Sequence, residues 1–127
     1  MPDTTHDILI EFTRQVKRIL GNKFTKVILY GSYARGDYTE NSDIDVMVLS
    51  TLSDAEIEQY ETEIFNLAFD FQMDYGVDIS VIVKNEEHFY HWLGALPFYN
   101  NVEKEGIVLN GQQALHSMQL KQYLPLG

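Results

Sequence analysis

Val27, Ile28, Leu29 and Tyr30 form a short apolar run that stops abruptly at Gly31-Ser32. A run of this length, opened by Lys26 and closed by glycine, predicts a strand buried in a sheet. The glycine lets the backbone turn sharply and come close to whatever lies beyond the strand end. A second apolar run, Ile44 to Leu49, and a third, Val77 to Val83, repeat the pattern. Helical patterns separate them. Ile8, Leu9, Phe12, Val16, Ile19 and Leu20 recur at three- and four-residue spacing, which predicts a helix over Thr5 to Leu20, stopped by Gly21-Asn22. Ser53-Asp54-Ala55-Glu56 has the spacing of a capping box and opens a helix with Ile57, Tyr60, Ile64, Leu67, Ala68 and Phe71 on its apolar face, closed by Gly76. Short strands alternating with helices imply an α/β (α+β) domain.

The remainder reads as Glu86 to Leu93 helical, Pro97 opening a short helix to Glu105, and Ile107 to Leu109 as a last strand. Ala114 to Leu124 is a helix or a tail. The expected organisation is a single domain over residues 1–127, with its core at about 8–110 and 111–127 as the C-terminal helix or tail. Trp92, Phe98, Tyr99 and Tyr123 concentrate aromatics in the last third. Core packing under a sheet edge is the simpler reading of them, and a partner surface is the alternative.

The chain has no cysteine, which excludes disulfides and thiolate metal sites. No apolar run reaches the roughly 20 residues of a membrane span. The polar N-terminus, Met1 to Asp7, is not a signal peptide, so the expected location is the cytoplasm. Nineteen Asp and Glu face nine Lys and Arg, a formal charge of −10. Such a surface repels the phosphates of nucleic acid, so no direct nucleic-acid contact is expected. A cationic small molecule or a basic protein suits it better, unless the charge serves solubility alone.

The chemistry lies between the first two strands. Side chains two apart on a strand share a face, so Asp43 and Asp45 project together while Ile44 points into the core. Two carboxylates this close repel, and a hard cation relieves the conflict. Mg²⁺ is held by one or two carboxylates together with substrate phosphates. Upstream, the backbone N–H groups at Gly31-Ser32 and the Ser32 hydroxyl can hold a phosphate. Asp78, in the alternating segment Val77-Asp78-Ile79, faces the Asp43/Asp45 pair if the second and third strands are neighbours. Together these residues suit phosphoryl-type transfer: an acceptor hydroxyl loses its proton and attacks an α-phosphate in line, and pyrophosphate leaves.

The segments Tyr30-Gly31-Ser32-Tyr33-Ala34-Arg35-Gly36 and Asn41-Ser42-Asp43-Ile44-Asp45-Val46, followed by Asp78, resemble the signature of the DNA polymerase β-like nucleotidyltransferase superfamily, and in particular its minimal branch. The resemblance covers about residues 8–110. It implies a small mixed sheet with helices packed on one side. It also implies that Gly31 and Ser32 bind the triphosphate of ATP, that Asp43 and Asp45 hold two Mg²⁺ ions, and that Asp78 is the third ligand and assists the acceptor. Arg35 is either a phosphate contact or a surface residue. Ser42 either orients Asp43 or closes a turn on its own backbone. Tyr33 and Tyr38 either stack on a base or pack on the protein. His6, His88, His91 and His116 are dispersed and form no expected metal site.

Larger members of the superfamily carry a further helical domain for the acceptor. About 17 residues follow Asn110, too few for one. Stand-alone members of the minimal branch are similar to antitoxins paired with helical HEPN-family ribonuclease toxins. The resemblance therefore implies AMP transfer from ATP to a tyrosine of such a toxin, in a hetero-oligomer. Two alternatives stay open: neutralisation of the partner by binding alone, and transfer to a small cationic acceptor of the antibiotic type.

Overall fold

The computed structural model describes residues 4–109. They form α1 (Thr5–Leu20), a 3-10 turn (Gly21–Lys23), β1 (Phe24–Tyr30), α2 (Ser32–Arg35), β2 (Ile44–Ser50), α3 (Asp54–Tyr75), β3 (Ile79–Asn85), α4 (Glu86–Trp92), α5 (Pro97–Glu105) and β4 (Ile107–Leu109). The expected Ala114 to Leu124 element, with Tyr123, and His116 fall outside the described residues.

Local chemistry sets the boundaries. The Thr4 hydroxyl accepts from the Asp7 N–H at 3.1 Å and caps α1. The capping box of α3 is complete: the Glu56 N–H donates to Ser53 Oγ at 3.2 Å, and the Ser53 N–H donates to Glu56 Oε1 at 3.0 Å. The third strand begins at Ile79, so Asp78 stands just ahead of it rather than inside it.

The sheet has the order β3-β2-β1-β4. β1 runs antiparallel to both β2 and β4, and β2 runs parallel to β3. Parallel neighbours need a crossover, and α3 provides it. Its 22 residues span about 33 Å, enough to return the chain from the C-terminal end of β2 to the N-terminal end of β3.

Helices cover both faces of this sheet, whereas the sequence resemblance implied one. On the first face, Val27, Leu29, Ile44, Val46 and Val48 pack beneath α1 and α3. Phe12 and Phe71 meet edge to face there, with ring centroids 5.4 Å apart. On the second face, Ile28, Tyr30, Met47 and Leu49 pack against Phe89 of α4 and Tyr99 and Val102 of α5. The physical reason is the unbroken apolar runs Val27 to Tyr30 in β1 and Val46 to Leu49 in β2. A strand segment apolar at successive positions must be covered on both faces.

The aromatics divide accordingly. Phe89 and Tyr99 are buried, as the core-packing reading requires, while Trp92 and Phe98 are each 42% exposed. α3 also carries a stripe that the sequence reading passed over. Phe65, Phe69 and Met73 follow one another at helical spacing and are 46%, 57% and 63% exposed. Among the described residues, no helix is long and apolar enough to cross a membrane.

The joint between α5 and β4 is tight. A Cβ added at Gly106 would overlap the Val102 carbonyl oxygen and the Ile28 side chain. We expect Gly106→Ala to destabilise the protein by about 1–3 kcal/mol, and Ser53→Ala, which loses a cap, by about 1 kcal/mol. Urea unfolding checks both. A Gly106→Ala protein as stable as wild type would show that this joint yields.

Candidate active site

Three strand ends meet at one edge of the sheet. The antiparallel register sets Tyr30 opposite Asp45, and the parallel register sets Ile44 beside Ile79. Asp43 and Asp78 each precede the latter pair, so they come side by side. The Ile44 N–H donates to the Asp78 carbonyl at 2.8 Å and locks this juxtaposition. The condition on which Asp78 could join the pair, that β2 and β3 be neighbours, is met.

The carboxylates feel one another. Asp43 and Asp78 lie within hydrogen-bond reach, which raises the Asp78 pKa, with the Asp43 charge and slight burial adding to it. Burial raises the Asp45 pKa, as does Asp43, while Arg35 opposes the shift. Burial, followed by the Asp45 charge, pushes the Tyr30 hydroxyl up to about 12. That phenol stays protonated at neutral pH and can donate a hydrogen bond, but it is no base.

Among the described residues, no three His, Asp or Glu side chains converge on a single metal-ligating point. Asp43 is instead the common neighbour of Asp45 and Asp78. The donor set still fits a hard divalent cation, since Mg²⁺ needs only one or two carboxylates once phosphate oxygens are present. Adjacent carboxyls that resist ionising together are what such an ion relieves.

Gly31 adopts φ 77° and ψ −156°, in the region that favours glycine. A side chain there would run into the Asp45 carboxylate. Glycine is therefore required twice, for the turn and for the carboxylate lying against it. Ser32 begins α2, and because the Ala34 and Arg35 N–H groups donate to the Gly31 carbonyl, only those of Ser32 and Tyr33 lack acceptors within the turn. The Gly31 N–H is not among the groups open to a phosphate: it donates to Glu105 Oε1 at 3.1 Å.

Arg35 is held by two carboxylates, with Nε on Asp37 Oδ2 and Nη1 on Glu105 Oε1, both at 3.1 Å. The Ser42 hydroxyl accepts from the Thr39 N–H at 2.9 Å, which is the turn-closing role. Tyr33 and Tyr38 stack on each other, centroids 4.1 Å apart and planes 6° from parallel. A cleft of about 280 Å³ opens beside the carboxylates, lined by Tyr33, Asn41, Asp43, Gly76 and Asp78 among others. His88 lies edge-on to Tyr99, away from this site.

The sequence reading missed Tyr30 and Glu105. Tyr30 was visible as the last residue before Gly31, but its closeness to Asp45 follows only from the register. Glu105 reaches Gly31 from 74 residues away, and nothing local marks it.

The raised Asp45 pKa has a consequence for stability. A carboxyl whose folded pKa exceeds its unfolded value opposes folding when ionised, and the opposition fades as pH falls through the folded pKa. In chelator at neutral pH, Asp45→Asn is expected to raise the melting temperature by about 2–4 °C. Added Mg²⁺ should then stabilise the wild type more than the variant. A variant melting no higher than wild type in chelator would show that the fold does not feel this repulsion.

Residues 9–109 match the nucleotidyltransferase domain family. An inferred protein adenylyltransferase of Methanocaldococcus jannaschii is 38% identical over 102 residues, a stretch covering 78% of this chain and 91% of the relative. Two crystal structures share the fold, both with a TM-score of 0.51: a toxin–antitoxin with AMP-PNP, 22% identical over 97% of this chain and 91% of its own, and a mutant toxin–antitoxin MntA-HpeT, 19% identical over 97% and 86%. With glycine, serine and three carboxylates gathered at one sheet edge and the family match spanning nearly all described residues, this chain belongs to the nucleotidyltransferase domain family and is a nucleotidyltransferase.

Proposed function

We propose that this nucleotidyltransferase transfers AMP from ATP to a hydroxyl of a partner protein, a tyrosine of a HEPN-family toxin, and so acts as its antitoxin. The observation that carries the reading is the meeting of Asp43, Asp45 and Asp78 beside the Gly31-Ser32 turn. The adenylyltransferase name of the Methanocaldococcus relative supports adenylate as the transferred group, and the toxin–antitoxin structures support a toxin as partner.

In this reading Asp43 and Asp45 hold divalent metal, with Asp78 alongside. Bound there, the metal supplies charge neutralisation for the triphosphate and for departing pyrophosphate. The Ser32 hydroxyl and the N–H groups of Ser32 and Tyr33 orient the phosphates. Asp78, exposed at the mouth of the cleft, accepts the proton of the incoming hydroxyl, and its raised pKa suits it to hold that proton. The Tyr30 hydroxyl, protonated and on a buried side chain, stays a donor beside Asp45. The cleft of about 280 Å³ is at the small end for a ligand pocket, in keeping with an acceptor that brings most of its own binding surface.

A protein acceptor also suits the surface. Phe65, Phe69 and Met73 form an exposed stripe on α3, a helix whose ionisable side chains other than tyrosine are all acidic. A basic partner with an apolar stripe complements it. This stripe is also the observation that favours the second reading, neutralisation by binding alone, because a covering partner needs area and no aspartates. A small cationic acceptor draws support only from the acidic charge.

The test incubates the protein with Mg²⁺, α-labelled ATP and host lysate, beside an Asp43→Ala, Asp45→Ala double variant. We expect label on one small protein, reduced at least about 100-fold in the variant. Label on a small molecule would replace the acceptor with the antibiotic type. Absence of label, with the partner still captured by the variant, would leave binding alone.

A further inference from the structure

The last pairs of the β1–β4 ladder are Val27 with Leu109, Ile28 with Val108 and Leu29 with Ile107. Continued by two residues, the same register sets Gly31 opposite position 105. The ladder cannot continue there, because the chain has turned into α5 and the Gly106 N–H is committed to the Val102 carbonyl at 2.8 Å. The Gly31 N–H would then face the sheet edge without a strand carbonyl. The Glu105 carboxylate takes the carbonyl's place and accepts from it at 3.1 Å. The same oxygen accepts from Arg35 Nη1 at 3.1 Å. One side-chain atom thus ties down both ends of the Gly31–Arg35 turn.

The rest of Gly31 is equally constrained. Its carbonyl accepts from the Ala34 and Arg35 N–H groups, each at 3.0 Å. Its Cα faces the Asp45 carboxylate so closely that no side chain fits between them. A transverse row therefore crosses the sheet end: Asp45 on β2, Gly31 after β1, Glu105 before β4. Holding the middle member fixes how the phosphate turn stands relative to the metal-holding carboxylates.

We propose that Glu105 is a positioning residue for the nucleotide site: it substitutes for a missing strand carbonyl, clamps the Gly31–Arg35 turn at both ends, and so preorganises the turn that receives the triphosphate. It does not touch the nucleotide. A turn already held loses less freedom when the phosphates arrive, so the benefit is read in nucleotide affinity. The proposal rests on the function proposed above, but its geometric half stands without it.

Glutamine and alanine separate the parts. The amide oxygen of Glu105→Gln can still accept both hydrogen bonds; Glu105→Ala can accept neither. In the nucleotide-free protein, exchange of the Gly31 amide is expected to match wild type in Glu105→Gln and to run about 10-fold faster in Glu105→Ala. Affinity for α,β-methylene-ATP with Mg²⁺ should fall about 10-fold in Glu105→Ala and stay within about 3-fold in Glu105→Gln. In turnover, the alanine variant should raise KM for ATP more than it lowers kcat. Equal Gly31 protection in all three proteins would overturn the clamp. Tighter analogue binding by Glu105→Ala would overturn it in another way, by making the carboxylate a competitor of the phosphates. If the wild type binds no analogue, the proposed function falls, and the exchange measurement alone decides whether Glu105 holds the turn.

Discussion

The strand pairing around β2 governs everything else in this protein. Antiparallel pairing on one side brings the C-terminal end of β1 to the N-terminal end of β2. Parallel pairing on the other side brings the N-terminal end of β3 to the same place. Only this mixture lets a glycine turn, a carboxylate pair and a third carboxylate from a distant segment share one sheet edge. A wholly antiparallel arrangement would send Asp78 to the far end of β2. The crossover helix α3 is what permits the parallel pair, and its complete capping box secures where that helix begins.

That edge is electrostatically uneasy. Asp43 sits close enough to Asp45 and Asp78 to help raise the pKa of each, and the surrounding fold does not neutralise the cluster. Arg35, whose charge opposes the Asp45 shift, is shared between Asp37 and Glu105. In the proposed function, this local loss of stability serves the binding of a divalent cation and a triphosphate, where charge neutralisation counts. The cost is borne by the two-faced apolar packing beneath. β1 and β2 are buried above by α1 and α3 and below by α4 and α5, which keeps the strand ends in register despite the repulsion between their carboxylates.

Much of this was legible along the chain. The elements from Thr5 to Leu109 follow from periodicity, caps and glycine stops, because those are local properties. Asp43 and Asp45 were legible as a pair because strand alternation alone puts them on one face. Ser42 and Arg35 were left between two readings, since the choice depends on which neighbours they meet. In the fold the Ser42 hydroxyl accepts from the Thr39 N–H and Arg35 bridges Asp37 and Glu105. The continuous apolar run of β1 already carried the message that both sheet faces are covered, a message that a one-sided reading of the fold overlooked.

The sequence by itself determined the chemistry: a glycine-serine turn after a buried strand, two carboxylates on one strand face and a third near the start of another strand, enough for a nucleotidyltransferase. Tertiary structure alone decided which groups meet. It put Asp78 beside Asp43, set Tyr30 against Asp45, stacked Tyr33 on Tyr38, and brought Glu105 to Gly31 across 74 residues. Periodicity records which face of an element a residue occupies, whereas register records what stands opposite. Register is fixed only when strands distant in sequence pack against a common core.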